Sequence, residues 1–259
     1  MSTRIIVGLT ALPVVLIPIW LGGIWAVLLF VLVGLLGGYE FYNLMRASDY
    51  QPARWLGLIW LTALILQGWQ PQLLPLTAVL STGFIVTLTY ALFQQDSAVL
   101  GWLATVTGAI YIGLILGQAV ALRFIPNGLW WLLLAALITW ANDTVAYFAG
   151  QIFGQHKLWP RLSPKKTWEG TIGGWIGAAL IGMLMAWLAP LPISPSIGLA
   201  MGFIGGILAL LGDLSVSMLK RHAQIKDTGA LFPGHGGMLD RLDSLLFVLP
   251  FVYQIAFWL

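Results

Sequence analysis

Apolar residues fill this chain in long blocks, and polar residues are confined to short breaks between them. The blocks run at about 5–20, 24–42, 55–69, 73–93, 98–122, 128–150, 170–189, 196–219 and 243–259. Short turns such as Gly22-Gly23, Gln70-Pro71-Gln72 and Pro190 to Pro195 divide neighbours. Blocks of roughly 20 apolar residues match the thickness of a bilayer crossed by a helix. They lack the strict alternation of an outer-membrane barrel, and a backbone in hydrocarbon must satisfy its own hydrogen bonds, so the pattern predicts helices. The expected fold is therefore an all-α integral membrane protein of about nine transmembrane helices. It reads as one polytopic domain over 1–259, with N-terminal helices over 1–125 and, over 126–259, helices joined by longer polar loops. The first block opens on Arg4 like a cleavable leader, but a small-residue cleavage site is missing and a second apolar block follows at once. It reads as a retained span kinked by Pro13 and Pro18.

Composition sharpens this picture. Of 259 residues, 59% are hydrophobic and only 8% charged, against about 25% in an ordinary soluble domain. With no cysteine, disulfides, thiolate metal sites and thiol catalysis are excluded. The net charge of +3 matters less than where the charges fall. Threading nine spans places the N-terminus and the loops near 43–54, 151–169 and 220–242 on one side. Every Lys and Arg except Arg123 lies there. By the positive-inside rule that side, with the N-terminus, is cytoplasmic.

Acids are scarce enough to weigh singly. Asp49 and Asp96 sit in polar loops and read as solvated surface. Asp143 lies within the apolar run Leu132 to Phe148, Asp213 within Ile204 to Leu219, and Glu40 late in the second block. A carboxylate inside a span costs several kcal/mol unless it is paired, metal-bound or wet. For Asp143 and Asp213 a functional role is the stronger reading. For Glu40, function and a hydrogen-bonded packing role stand level. Asp213, Ser217, Lys220 and Gln224 recur at helical spacing, one polar stripe that would face a cavity open to the cytoplasm. Asp143, Tyr147 and Gly150 form a weaker stripe, in which Tyr147 reads equally well as an interfacial aromatic.

Two polar segments carry the chemistry. The first runs through Ser163-Pro164-Lys165-Lys166-Thr167-Trp168-Glu169-Gly170. Its lysines, hydroxyls and glycines at the start of a helix suit an anion; a loop that only fixes topology is the competing reading. No Walker motif is present. The second runs from Gly212 to Asp243 and gathers Lys220, Arg221, His222, Lys226, Asp227, the turn Pro233-Gly234-His235-Gly236-Gly237, then Asp240, Arg241 and Asp243. Gly234, Gly236 and Gly237 permit positive φ and close backbone approach to a ligand. Asp240 and Asp243 would begin the last helix, where either could be a capping acid. Asp240 is favoured for function because it directly follows the turn. Carboxylates without cysteine suit a hard cation such as Mg²⁺, and carboxylates with Lys and Arg form a kit for phosphoryl chemistry. His235 reads as a phosphate or turn-stabilising donor, and His222 is unassigned.

At these residues the chain resembles the phosphatidate cytidylyltransferases, or CDP-diacylglycerol synthases. The C-terminal signature of that family is complete in Ser217, Lys220-Arg221, Lys226-Asp227, Pro233-Gly234-His235-Gly236-Gly237 and Asp240-Arg241-Leu242-Asp243. The segments Asp143–Tyr147 and Ser163–Gly170 also look like the family, whereas the first 120 residues match in hydropathy alone. The resemblance implies synthesis of CDP-diacylglycerol and pyrophosphate from phosphatidate and CTP (or dCTP). It also implies a homodimer, Mg²⁺ held by a pair of aspartates matching Asp213 and Asp240, and K⁺ as companion ion. In that reading Asp213, Asp240, Lys220 and Lys226 are catalytic, and Asp143 is an additional or outer metal ligand. Substrate contacts fall to Ser163, Lys165, Lys166, Thr167, Ser217, Arg221, His235, Gly236, Gly237 and Arg241. No nucleic-acid partner is expected. The compact chain suits a bacterial inner membrane, with the site facing the cytoplasm. A CTP-dependent polyprenol or phytol kinase is the nearest alternative, and would release CDP; an ion-coupled transporter would require inverted repeats that the chain lacks.

Overall fold

Helices occupy the apolar blocks in the computed structural model, which describes residues 13–229, 231 and 236–259. Residues 13–21 are helical (α1), followed by α2 (Gly23–Ala47), α3 (Arg54–Trp69) and α4 (Leu76–Ala91). Next come α5 (Ala98–Gly108), a π-helical stretch (Ala109–Leu114) and α6 (Ile115–Phe124), then α7 (Gly128–Phe153). A hairpin of β1 (Lys157–Trp159) and β2 (Ser163–Thr167) precedes α8 (Trp168–Leu188) and α9 (Pro195–His222). The chain closes with α10 (Leu239–Leu242) and α11 (Leu245–Trp258). Among the described residues five helices are long and apolar enough to cross a membrane: Gly23–Ala47, Ala98–Phe124, Gly128–Phe153, Trp168–Leu188 and Pro195–His222. Leu76–Ala91 and Leu245–Trp258 are shorter apolar helices. The architecture is that of an all-α membrane protein.

Three local details depart from the pattern-based expectation. The 151–169 segment contains an antiparallel hairpin, with Lys157 opposite Thr167 and Trp159 opposite Ser163. α9 stops at His222, and Gln224 has a positive φ of 57°, so the polar stripe ends before Gln224. Asp240 and Asp243 do not begin one helix: α10 is a single turn, and a turn at 243–244 separates it from α11.

The chain divides into two units, Met1–Phe124 with His222–Leu242, and Ile125–Arg221 with Asp243–Leu259. The first has α3 at its centre, packed on α2, α4, the π-helical stretch and α6. Phe41, Leu61, Leu64, Ile112, Leu116 and Leu122 are fully buried there. Buried Tyr42 donates its hydroxyl to the Thr105 carbonyl at 2.9 Å, and Thr105 Oγ1 accepts the Ala53 N–H at 2.8 Å. Hydrocarbon gives helices no hydrophobic reason to associate, so close van der Waals contact and such bonds hold them. Arg123, the exception to the charge asymmetry, donates Nε to the Ile19 carbonyl at 2.8 Å and a terminal nitrogen to the Trp20 carbonyl at 3.0 Å. It thus satisfies carbonyls left open at the end of α1.

The second unit is a small-residue bundle. Ala146 and Gly150 of α7 lie directly against Gly170 of α8, and a Cβ at Gly170 would sit 3.0 Å from Gly150 Cα. Gly198 and Gly202 of α9 meet Gly182 and Ala178 of α8 so closely that a Cβ at Gly202 would fall 2.8 Å from Ala179 Cα. α11 packs on α7. This close packing fixes the height of α9 against α7 and α8, and with it the position of Asp213.

Candidate active site

In the second unit, charge gathers where α9 meets the hairpin. Lys166 on β2 places Nζ 2.5 Å from Asp213 Oδ2, with both side chains about a quarter exposed (26% and 29%). Ser217, one turn on, donates its hydroxyl to Asp213 Oδ1 at 3.2 Å. Both oxygens of Asp213 are therefore engaged, by residues from two elements. The sequence stripe is realised for this pair, and Lys220 lies half-buried beyond it on the same helix.

The hairpin that delivers Lys166 is anchored at its base. Glu169 accepts the N–H groups of Gln155 at 3.1 Å and His156 at 3.3 Å, and pairs with His156 Nδ1 at 2.6 Å. Thr167 is buried; its hydroxyl caps α8 by accepting the Gly170 N–H at 3.2 Å. Strand alternation puts Lys166 on the face opposite Thr167; Lys166 is half-buried and Lys165 exposed. Ser163 is half-buried at the turn end of the strand, and Arg221 Nε reaches the neighbouring Leu162 carbonyl at 3.4 Å.

Asp243, over which the sequence favoured Asp240, belongs to this charged group. Its backbone meets α9 at Gly212, where a Cβ would fall 3.0 Å from Ser244 Cα. Its carboxylate is half-buried and Oδ1 accepts the Ser244 N–H at 2.7 Å. The charges of Asp213, Asp143 and Lys220 all act on it through space. Asp143 itself is exposed on α7 and accepts the Asn142 side-chain amide at 3.3 Å.

In the first unit the signature loop folds back on α2. Asp240 Oδ2 accepts three hydrogen bonds: the Thr228 N–H at 2.9 Å, the Thr228 hydroxyl at 3.0 Å and the Gly237 N–H at 2.9 Å. Gly236 has a φ of +80°, a conformation that disfavours any side chain, and a Cβ there would lie 2.5 Å from Asp240 Oδ2. The close backbone approach expected at Gly237 is made to a protein carboxylate, that of Glu40. Lys226 and Arg241 are exposed on either side of the turn. His235, with Pro233 and Gly234, lies outside the described residues. His222 contacts Tyr50, ring nitrogen to hydroxyl at 3.2 Å.

The donors available to a metal are all carboxylate oxygens. Asp213 Oδ2 already faces one cation, the Lys166 ammonium, so its surroundings tolerate positive charge. Among the described residues no three His, Asp or Glu side chains converge as a metal site. Among the described residues, protein ligation at any one point comes from one or two carboxylates, the regime in which Mg²⁺ completes its shell with phosphate oxygens and water. The donor set fits such an ion.

Comparison with known proteins reaches further than the motifs. The profile of the cytidylyltransferase family matches residues 2–259. The phosphatidate cytidylyltransferase of Bacillus subtilis strain 168 is 33% identical over 264 residues, covering 98% of this chain and 96% of the relative. That of Synechocystis PCC 6803 is 33% identical over 283 residues with the same coverage, and that of Staphylococcus aureus strain COL is 32% identical over 254 residues, covering 96% of both. The likeness therefore includes the first 120 residues, where motifs alone had offered only matching hydropathy. Apolar helices, a cation-bearing hairpin set against Asp213, a complete signature loop and similarity along nearly the whole length agree, and the chain belongs to the cytidylyltransferase family.

Proposed function

We propose that this protein transfers CMP from CTP to phosphatidate, forming CDP-diacylglycerol and pyrophosphate. The observation that carries the reading is the Lys166–Asp213 pair, a cation and a metal-competent carboxylate brought together beside the half-buried Lys220. A phosphatidate phosphate oxygen forms a bond to the α-phosphorus of CTP, and the bond from that phosphorus to the α,β-bridging oxygen breaks. The electron pair leaves with pyrophosphate. A phosphate dianion is already a competent nucleophile, so no side chain need remove a proton.

Following the family resemblance, Asp213 and Asp240 would hold Mg²⁺, with Asp143 as an outer or additional ligand and K⁺ as companion; the ion would supply neutralisation of the charge that develops in the transfer. Lys166 exchanges its carboxylate partner for a substrate phosphate, and Lys165, Ser163 and Thr167 belong to the same strand. Lys220, Arg221, Lys226 and Arg241 compensate the charge of the triphosphate and of phosphatidate. Ser217 orients Asp213 through its hydroxyl. Gly236 and Gly237 shape the turn, where His235 donates to phosphate.

Nine spans with a cytoplasmic N-terminus fit the distribution of Lys and Arg, since it leaves Arg123 as the one exception. We place the protein as a homodimer in a bacterial inner membrane, with its site on the cytoplasmic side; its bacterial relatives support that setting. Purified protein given phosphatidate and each NTP in turn should release pyrophosphate with CTP and Mg²⁺. Release of CDP in its place would identify a lipid kinase and overturn the reading.

A further inference from the structure

Glu40 takes no part in the chemistry above, yet it is one of the most heavily bonded side chains in the first unit. It is 8% exposed, late in α2. Its Oε1 accepts the Met238 N–H at 2.9 Å; its Oε2 accepts the Leu239 N–H at 2.8 Å and the Thr228 hydroxyl at 2.9 Å. All three donors come from the signature loop, on both sides of its glycine turn. The seat is tight. A Cβ at Gly229 would lie 2.5 Å from Glu40 Oε1, and one at Gly237 would collide with the same carboxylate. One turn earlier on α2, Gly37 leaves room for Leu242, whose methyl would lie 3.3 Å from a Cβ there.

Thr228 joins Glu40 to Asp240. Its hydroxyl stands 2.9 Å from Glu40 Oε2 and 3.0 Å from Asp240 Oδ2. A hydroxyl carries a single proton and can donate to only one acceptor at a time. The two carboxylates therefore compete for it. When Asp240 turns to another partner, the hydroxyl passes wholly to Glu40, and the Met238 and Leu239 bonds keep the loop seated. Two long-range charge-assisted bonds to backbone N–H groups make a stiffer anchor than neutral side chains could supply.

We propose that Glu40 is a positioning residue for the signature loop, fixing Asp240 through Thr228 and through the Met238 and Leu239 amides. The catalytic consequence rests on the assignment of Asp240 to CMP transfer; the anchoring itself does not. Glu40→Gln presents an amide donor to a ring of donors, and Thr228→Val removes the shared hydroxyl, whereas Thr228→Ser retains it. The test combines amide hydrogen exchange over 226–242 with steady-state pyrophosphate release, using full-length protein in detergent. Losing a hydrogen bond to a charged group predicts exchange at Met238 and Leu239 faster by about tenfold or more in Glu40→Gln. Exchange in α3 and α6 should stay unchanged. In both Glu40→Gln and Thr228→Val, kcat should fall by a similar factor with KM for CTP little altered, and Thr228→Ser should restore it.

Unchanged exchange in Glu40→Gln, unchanged kcat despite faster exchange, or a serine variant as impaired as the valine one would each overturn the proposal. If Glu40→Gln does not fold, the Thr228 pair decides the matter alone. A wild-type protein that releases no pyrophosphate would instead overturn the cytidylyl-transfer reading, and exchange would still test the anchor.

Discussion

Replacing Asp213 with asparagine separates the stabilising role of this carboxylate from its chemical one. Asparagine keeps the shape of the side chain and can still accept the Ser217 hydroxyl bond made at 3.2 Å. What disappears is the charge facing Lys166 Nζ at 2.5 Å. With both side chains about a quarter exposed (26% and 29%), the pair falls between a surface salt bridge, worth about 0–1 kcal/mol, and a buried one, whose breakage costs about 3–5 kcal/mol. A loss of about 1–2 kcal/mol is expected, partly offset because the substitution relieves the like-charge proximity of Asp213 and Asp243. For a chain of this size that lowers Tm by only a few degrees, about 2–4 °C per kcal/mol.

Activity should respond on a different scale. Removing a charge that holds a metal or a phosphate-facing cation costs about 4 kcal/mol in the transition state, or about a thousandfold in turnover. The assay is pyrophosphate release from CTP and phosphatidate, run beside thermal unfolding of the same detergent-solubilised preparation. A folded Asp213→Asn protein whose turnover stays within a few-fold of wild type would refute the assignment of Asp213 to the reaction centre.

Two further outcomes follow from the scaffold. Thr167→Val removes the cap on α8, since its hydroxyl accepts the Gly170 N–H, and should lower stability by about 1 kcal/mol in thermal unfolding. Gly202→Leu drives a side chain into the backbone of α8 at Ala178 and Ala179 and should cost about 3 kcal/mol or more, read as a large drop in Tm or loss of folded yield.

Much of the architecture was legible in hydropathy, because the length and apolarity of a segment are local properties and a bilayer tests little else. Helices α2, α7 and α9 start and stop within a few residues of the apolar blocks. The helical phase that joins Asp213 to Ser217 was legible for the same reason. The hairpin at 157–167 was not: its two strands are three and five residues long and carry too few positions to show a period. Nor could spacing divide the roles of Asp240 and Asp243, three residues apart. α10 ends at Leu242 and a turn at 243–244 follows, so that Asp240 accepts bonds from Thr228 and Gly237 while Asp243 shares the surroundings of Asp213.

The amino-acid sequence by itself determined that this is a membrane protein with scarce charge, and that its charge gathers in two segments bearing a family signature. It also showed that Glu40, Asp143 and Asp213 needed partners. Only the tertiary structure decided who those partners are: Lys166 for Asp213, and for Glu40 a loop almost two hundred residues away. The cost of burying a carboxylate is set at its own position, but the groups that offset it are delivered by the packing of distant helices, which no local pattern encodes.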